Sequence, residues 1–495
     1  MQIQSFPQRE EYLDLATEAN VIPVCHQILA DRETPVSLME RFAKAGRPFF
    51  LLESMEGGER WGRYSFLGSK AFGLVRIYAD RVEFERNGEI ESISHGGDPL
   101  GVLREIMAEY IPADMGEALP RFWGGLVGYF TYEMASFFEP RVPNRLPAET
   151  PLASFMLPEE LLIIDNQMHT LTCVVLTYLD DDADVAAAHA AASKRVEALA
   201  YEIDHTPLER SITAAGLRDF SLACSTADED FCKKVEIVKE HIFAGDIIQA
   251  VISQKFVGPA PEDMTSFYRA LRFINPSPYL FHIQLDNTTI VGSSPETMVR
   301  VENGTACVRP IAGTRPRGET PQDDLDLEVD LLADEKERAE HLMLVDLGRN
   351  DLGRIAKTGT VKVTDLMMIE RYSHVMHIVS NVTCDIEDDK DALDVLAATF
   401  PAGTLSGAPK VRAMEIIAEQ EDQPRGVYGG CAGYISFDGN LDMAITIRTA
   451  VAEAGTIVVQ AGAGIVADSV PASEHQETIN KAMGLSRALK FIEQI

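Results

Sequence analysis

Two pairs of glutamates, Glu337/Glu340 and Glu474/Glu477, stand three residues apart in segments of helical character. On an α-helix that spacing puts both carboxylates on one face, so each pair can aim at a single point. Carboxylate oxygens from two helices suit a hard cation such as Mg2+, and a bound Mg2+ suits a substrate that carries carboxylates. Acidic helix faces are also common as solvated surface, so the pairs need a second feature beside them. Arg448 supplies one. The turn signals Asn303-Gly304, Asp438-Gly439 and Ala454-Gly455 fold the later part of the chain into hairpins. Pairing about the last two sets Arg448 opposite Gly429 and Ala461, beside Tyr428 and the run Gly462-Ala463-Gly464. A guanidinium grips a carboxylate through two parallel bonds, and backbone N–H groups at glycines are open to further anion oxygens. Folding about Asn303-Gly304 places Gly313 opposite Ser294 and Glu296 near Ile311, with Pro295 and Pro310 disturbing the ladder.

The elements that must position these groups can be read around them. ADEKERAEHLMLVD (333–346) is a helix carrying the first glutamate pair, with Asp334 as its cap. After Pro471, SEHQETINKAMGLSRALKFI (473–492) is an amphipathic helix carrying the second. Thr226-x-x-Glu229 reads as a capping box before a helix that Gly245 stops, and DIIQAVISQKF (246–256) follows as a strand. Upstream, PFFLLES (48–54) and RYSFLG (63–68) read as strands, and an Ala-rich helix is expected over 182–201. The polar stretch 202–224 is taken as a linker, giving an N-terminal region 1–225 and a C-terminal region 226–495.

The 495 residues are 46% hydrophobic, enough for a large core and for more than one domain. Lys+Arg 44 against Asp+Glu 77 gives a net charge of −33, which argues against nucleic acid or an anionic membrane as partner. No basic segment followed by an apolar run opens the chain, and no stretch has the length of a membrane-spanning helix. The seven cysteines are scattered without CxxC spacing, which predicts reduced thiols in a cytoplasm and no zinc site. Two look-alikes are set aside. Gly462-x-Gly464-x-x-Ala467 mimics a dinucleotide fingerprint, but Asp468, Ser469 and Pro471 stand where its helix should begin. Cys431 in GGCAG mimics a nucleophile elbow, yet it lies inside a hairpin.

PIAGT (310–314), DLGRNDLGR (346–354), GTLSGAPK (403–410), YGGCAGY (428–434), IRTA (447–450) and QAGAGIVADS (460–469) occur in this order. Together they resemble the chorismate-utilising enzymes, most closely the anthranilate synthase component I branch, over essentially the whole chain. The resemblance implies an α+β fold of orthogonally packed antiparallel β-sheets flanked by helices. It implies that Glu340 and Glu477 coordinate Mg2+ with Glu337 and Glu474 in support. Gly313, Thr314, Tyr428, Arg448, Gly462, Ala463 and Gly464 would contact chorismate. Glu296 is the implied acid for the departing hydroxyl, His377 is tied to pyruvate elimination with His374 as a nearby distractor, and Thr404 contacts substrate or supports it. Isochorismate-forming relatives carry a lysine where this chain has Gln249, and aminodeoxychorismate synthases carry one where it has Ala312. Neither residue here offers an amine, so an external nucleophile, ammonia, is expected. Its implied source is a separate glutamine amidotransferase subunit, anthranilate synthase component II. Ser54, with Pro278, Tyr279 and Leu280, matches the family's site for feedback inhibition by L-tryptophan.

Overall fold

The computed structural model describes residues 5–44, 46–54, 62–205, 220–372 and 375–492. Residues 55–61 of the regulatory segment, residues 206–219 of the expected linker, and His374 lie outside the described residues. The architecture is α+β: helices flank strands whose ladders are all antiparallel and join into one hydrogen-bonded network.

That network runs across position 225. Strand Phe49–Glu53 lies between Tyr64–Ile77 on one side and Tyr279–Leu285 on the other. Strand Gly125–Phe130 pairs with Cys431–Ser436, setting Val127 opposite Tyr434. The largest core cluster is likewise mixed, with Phe122, Phe130 and Phe155 packed in the same body as Phe281, Met443 and Tyr434. A second cluster joins Val196 and Leu199 of helix Val185–His205 to Leu485 and Leu489 of the last helix. Each such large apolar side chain contributes about 1.5–3 kcal/mol on burial, so both halves depend on the shared core.

The site-bearing helices begin where local chemistry starts them. Helix Glu335–Gly353 is capped by Asp334, whose carboxylate accepts from the backbone N–H of Lys336 at 3.0 Å and Glu337 at 3.2 Å. Helix Pro471–Phe491 has proline in its first turn, where no N–H is needed. Helix Asp228–Ala244 ends at Gly245, which takes a left-handed φ of 83°. The expected capping box is absent: Ala227 is the cap, and Thr226 stands one residue outside. Strand Gln249–Pro259 follows, three residues later than the apolar run suggested. No helix among the described residues is long and apolar enough to cross a membrane. All seven cysteines are free thiols.

Candidate active site

Glu296 sits in the break between strands Thr288–Ser294 and Thr297–Glu302, just after Pro295. Its carbonyl accepts from Ile445 N–H at 3.0 Å, which pins the backbone. Its carboxyl accepts from the Thr404 hydroxyl at 2.9 Å, Thr404 lying on the one-turn helix Gly403–Leu405. Burial pushes the carboxyl up to about 8, against the Thr404 hydrogen bond and the charges of Arg448 and Lys481, which lower it. A pocket of about 400 Å³ opens beside it, lined among others by Arg309, Leu344, Asp351 and Thr404.

Arg448 is not an in-strand residue, as its expected pairing required. It occupies the joint between strands Leu441–Ile445 and Thr449–Glu453 with φ 49°, a conformation costing a non-glycine residue about 1–3 kcal/mol. The hairpin about Ala454-Gly455 has the expected register, Ala450 facing Val459, but it stays paired only over Thr456–Val459, while Gln249–Pro259 pairs along the other side of strand Thr456–Ile465 over its whole length. The hairpin before it is shifted by one residue, Ile435 facing Leu441, because Phe437, Asp438 and Gly439 form a three-residue loop. Gly313 does not face Ser294 either. After Pro310 the chain leaves the Asn303-Gly304 hairpin, and strand Ile311–Pro316 pairs with Val375–Asp385, with Gly313 left unpaired at a bulge.

These departures bring the charged groups together. Arg448 feels Glu296 and Tyr372, and its charge in turn helps hold His377 neutral, although burial is the larger cause. The His377 ring nitrogen Nδ1 lies 3.0 Å from the Gly313 carbonyl and 3.0 Å from the Thr314 hydroxyl. A carbonyl only accepts, so Nδ1 carries the hydrogen and Nε2 keeps a free lone pair.

Gly462 and Gly464 leave room that no other residue would. A Cβ on Gly462 would stand 2.7 Å from the Tyr428 hydroxyl, and one on Gly464 would stand 2.6 Å from Gln249 Nε2. At Gly462 the Ile252 backbone carbonyl also stands at 3.0 Å, whereas at Gly464 the obstructing atom is the end of one side chain that can swing aside, so there stability changes little while the site deforms. Gly464→Ala should therefore fold with a melting temperature within a few degrees of wild type and lose at least tenfold in kcat/KM. Thermal denaturation alongside a turnover assay checks both halves of that expectation.

Two of the four glutamates approach this same strand end. Glu340 lies 3.4 Å from Gln249 Nε2. Glu477 pairs with Lys481 at 2.7 Å, and Lys481 donates to the Gly462 carbonyl at 2.9 Å. Glu340 and Glu477 thus stand near Gly464 and Gly462, each across one intervening side chain and each on its own helix. Among the described residues, no three of His, Cys, Asp or Glu stand close enough to form a ready ligand group. The donor set nonetheless fits a hard cation. The Glu337 and Glu474 carboxyls are raised by burial first, and next by Glu340 and Glu477 respectively, a repulsion that a cation would relieve.

Several groups beside the site were not singled out in the sequence. Lys481 falls four residues after Glu477, a helical ion-pair spacing that was there to be read. Arg425 was not legible. It donates to the carbonyls of Leu405 at 2.6 Å and Val251 at 2.7 Å, is held by Glu421, and lies against the rings of Tyr132 and Tyr428. One buried guanidinium so ties the Thr404 turn, the Gln249 strand and Tyr428 together. Glu133, pushed up to about 7 by burial, accepts the Arg425 N–H at 2.7 Å.

A second pocket, about 560 Å³, has Ser54, Pro278, Tyr279 and Leu280 in its wall, so strands distant in sequence bring these four candidates together. Phe66, Tyr64 and Tyr434 give it aromatic surfaces; Glu53, Arg121 and Asp442 give it charge of both signs.

The protein family described as chorismate binding enzyme matches residues 54–487. The chain is 47% identical over 491 residues to anthranilate synthase component 1 of Aquifex aeolicus, covering 98% of each protein. It is 46% identical over 498 residues to that of Acetivibrio thermocellus, covering 99% of each. Among solved structures, anthranilate synthase component I from Streptococcus pneumoniae superposes with a TM-score of 0.76 at 34% identity, covering 93% of this chain and 99% of that one. The menaquinone-specific isochorismate synthase of Escherichia coli, at 19% identity and a TM-score of 0.69, shares the fold. With the motif-bearing segments gathered at one site and the likeness running end to end, the chain belongs to the chorismate-binding enzymes, in the anthranilate synthase component I family.

Proposed function

We propose that the protein is a lyase that converts chorismate and ammonia to anthranilate and pyruvate by way of aminodeoxyisochorismate. Ammonia would come from glutamine through an amidotransferase partner, component II, and L-tryptophan would inhibit. The observation that carries this reading is a buried carboxyl, Glu296, bonded to Thr404 and kept with its proton by burial, close to Arg448 and the open glycine backbone.

Arg448, Tyr428 and the backbone of Gly462, Ala463 and Gly464 receive the substrate carboxylates, with Gly313 and Thr314 closing the other side. Ammonia forms a bond to ring carbon 2 as the bond from carbon 4 to its hydroxyl breaks. Hydroxide leaves poorly, so Glu296 supplies the proton that lets it depart as water, and Thr404 holds the acid in place. In the second stage, the free Nε2 of His377 takes the carbon 2 proton as the bond from carbon 3 to the enolpyruvyl oxygen breaks; the ring becomes aromatic, and the enolpyruvate released takes a proton at its methylene carbon to become pyruvate. Gln249 and Ala312 offer no amine that could replace ammonia. Glu340 and Glu477, supported by Glu337 and Glu474, would hold Mg2+, which supplies positive charge to neutralise the dianionic substrate. Free thiols throughout agree with a cytoplasmic location.

The test is anthranilate fluorescence from chorismate and ammonium without any partner. Activity is expected with Mg2+ and at least a hundredfold less after thorough chelation, restored by adding Mg2+ back. Turnover that survives chelation removes the metal from this reading. Isochorismate or aminodeoxychorismate as the sole product overturns the reaction.

A further inference from the structure

The 560 Å³ pocket and Glu296 touch the same few residues from opposite sides. Tyr279, in the pocket wall, is the ladder partner of Ser294, two residues before Glu296. Its hydroxyl lies 3.0 Å from the Thr297 hydroxyl, one residue after Glu296. One residue therefore holds the chain on both flanks of the acid, through its backbone before it and its side chain after it. The same phenol donates to Asp442 at 2.8 Å, and Asp442 also lines the pocket. With its single hydrogen committed there, the phenol oxygen accepts from Thr297. The ladder between Thr297–Glu302 and Leu441–Ile445 is irregular next door: Thr297 faces Ala444 while Val299 faces Met443, so Met298 is an extra residue. Such a bulge lets a strand end shift while the pairs beyond it stay closed.

We infer that Thr297 is a positioning residue that couples the Ser54/Pro278 pocket to Glu296, its hydroxyl reporting the placement of Tyr279. This rests on the proposed reading, in which that pocket takes an aromatic amino acid and Glu296 is the acid. The pocket's chemistry suits such an occupant: aromatic faces for a ring, Arg121 for a carboxylate and Asp442 for an ammonium, Glu53 being already held by Arg272 and Tyr268. Arg121 already donates to Tyr434 at 2.8 Å and to Asp442 at 3.1 Å, so an occupant must redistribute those bonds. An ammonium drawn to Asp442 competes with the phenol that Asp442 accepts. Freed from Asp442, Tyr279 changes its bond to Thr297, and the segment bearing Glu296 moves relative to Thr404. A ligand in one pocket thereby changes the placement of an acid in another, with no shared contact.

The experiment is a linkage measurement on the full chain, so it needs no turnover. Tryptophan affinity is measured by calorimetry with and without saturating chorismate and Mg2+, no ammonium being present, for wild type, Thr297→Val and Thr297→Ser. Wild type is expected to bind tryptophan at least tenfold more weakly when chorismate is bound. Thr297→Val should bind tryptophan alone within about threefold of wild type and lose the chorismate effect, leaving a ratio below about two; Thr297→Ser, which keeps the hydroxyl, should restore it. A Thr297→Val protein with the wild-type ratio overturns the inference. So does parallel loss of tryptophan binding, which would make Thr297 part of the pocket. Wild type that does not bind tryptophan at all defeats the regulatory reading itself, a distinct result.

Discussion

Glu296→Gln should lower anthranilate formation by about 10³-fold while the KM for chorismate changes by less than a few fold. The substitution keeps the side chain's shape and neutrality but removes the proton that the departing hydroxyl needs. The wild-type carboxyl is raised to about 8, so it is protonated below that pH, and kcat/KM should fall as pH climbs through about 8. The residual activity of the Gln variant should lack that limb. The concentration of free-base ammonia must be held constant across the series, since its own titration falls nearby. Stability gives an independent check on the same group. In the folded chain the proton is held to about pH 8, against an ordinary value of 4.5, so folding takes up a proton between those limits. Stability therefore declines as pH rises through that window, and Glu296→Gln should lose that component of the decline. A wild-type rate that is flat between pH 7 and 9 would remove Glu296 as the acid.

Arg448→Ala should reduce kcat/KM for chorismate on the order of 10³-fold, from losing a partly buried charged fork worth about 2–5 kcal/mol. Arg448→Lys should recover less than tenfold of that, because an ammonium cannot span two carboxylate oxygens in one plane. The φ of 49° adds a contrast that charge alone does not predict. Arg448→Gly should be as inactive as the Ala variant but more stable than it, because glycine occupies this conformation without strain. Removing the guanidinium also takes away a charge that lowers the Glu296 carboxyl, so the acid should titrate higher in both variants. Near-normal chorismate kinetics in Arg448→Ala would place substrate elsewhere.

What the sequence disclosed depended on how local the cause was. The Ala454-Gly455 hairpin kept its expected register because a two-residue turn fixes the pairing of its neighbours. At Phe437, Asp438 and Gly439 one more residue in the loop displaced every pair by one. The Asn303-Gly304 hairpin held at Arg300 and Cys307 but ended before Pro310, beyond which the chain stays paired with a strand some seventy residues downstream that already flanked it. Nothing local could disclose that partner. The helices that carry the glutamate pairs were legible from their pattern, but the spacing of the glutamates alone did not set them apart from a solvated face; the closeness of Tyr428 to Gly462 followed from crude pairing, since a slip of one residue leaves them neighbours. Arg425 was not legible, because each carbonyl it holds comes from a different element. Thr297 stayed hidden for a related reason, its partner Tyr279 being reached across a ladder rather than along the chain.

The pairing of Phe49–Glu53 with Tyr279–Leu285, and of Gly125–Phe130 with Cys431–Ser436, has a consequence for how such a protein can change over generations. The N-terminal part cannot be shed as a detachable module. Deleting it would strip hydrogen-bond partners from two long strands of the chemistry-bearing half and leave raw edges that invite self-association. New properties must therefore arise through point substitutions inside an intact chain, and recombination between relatives must respect both seams.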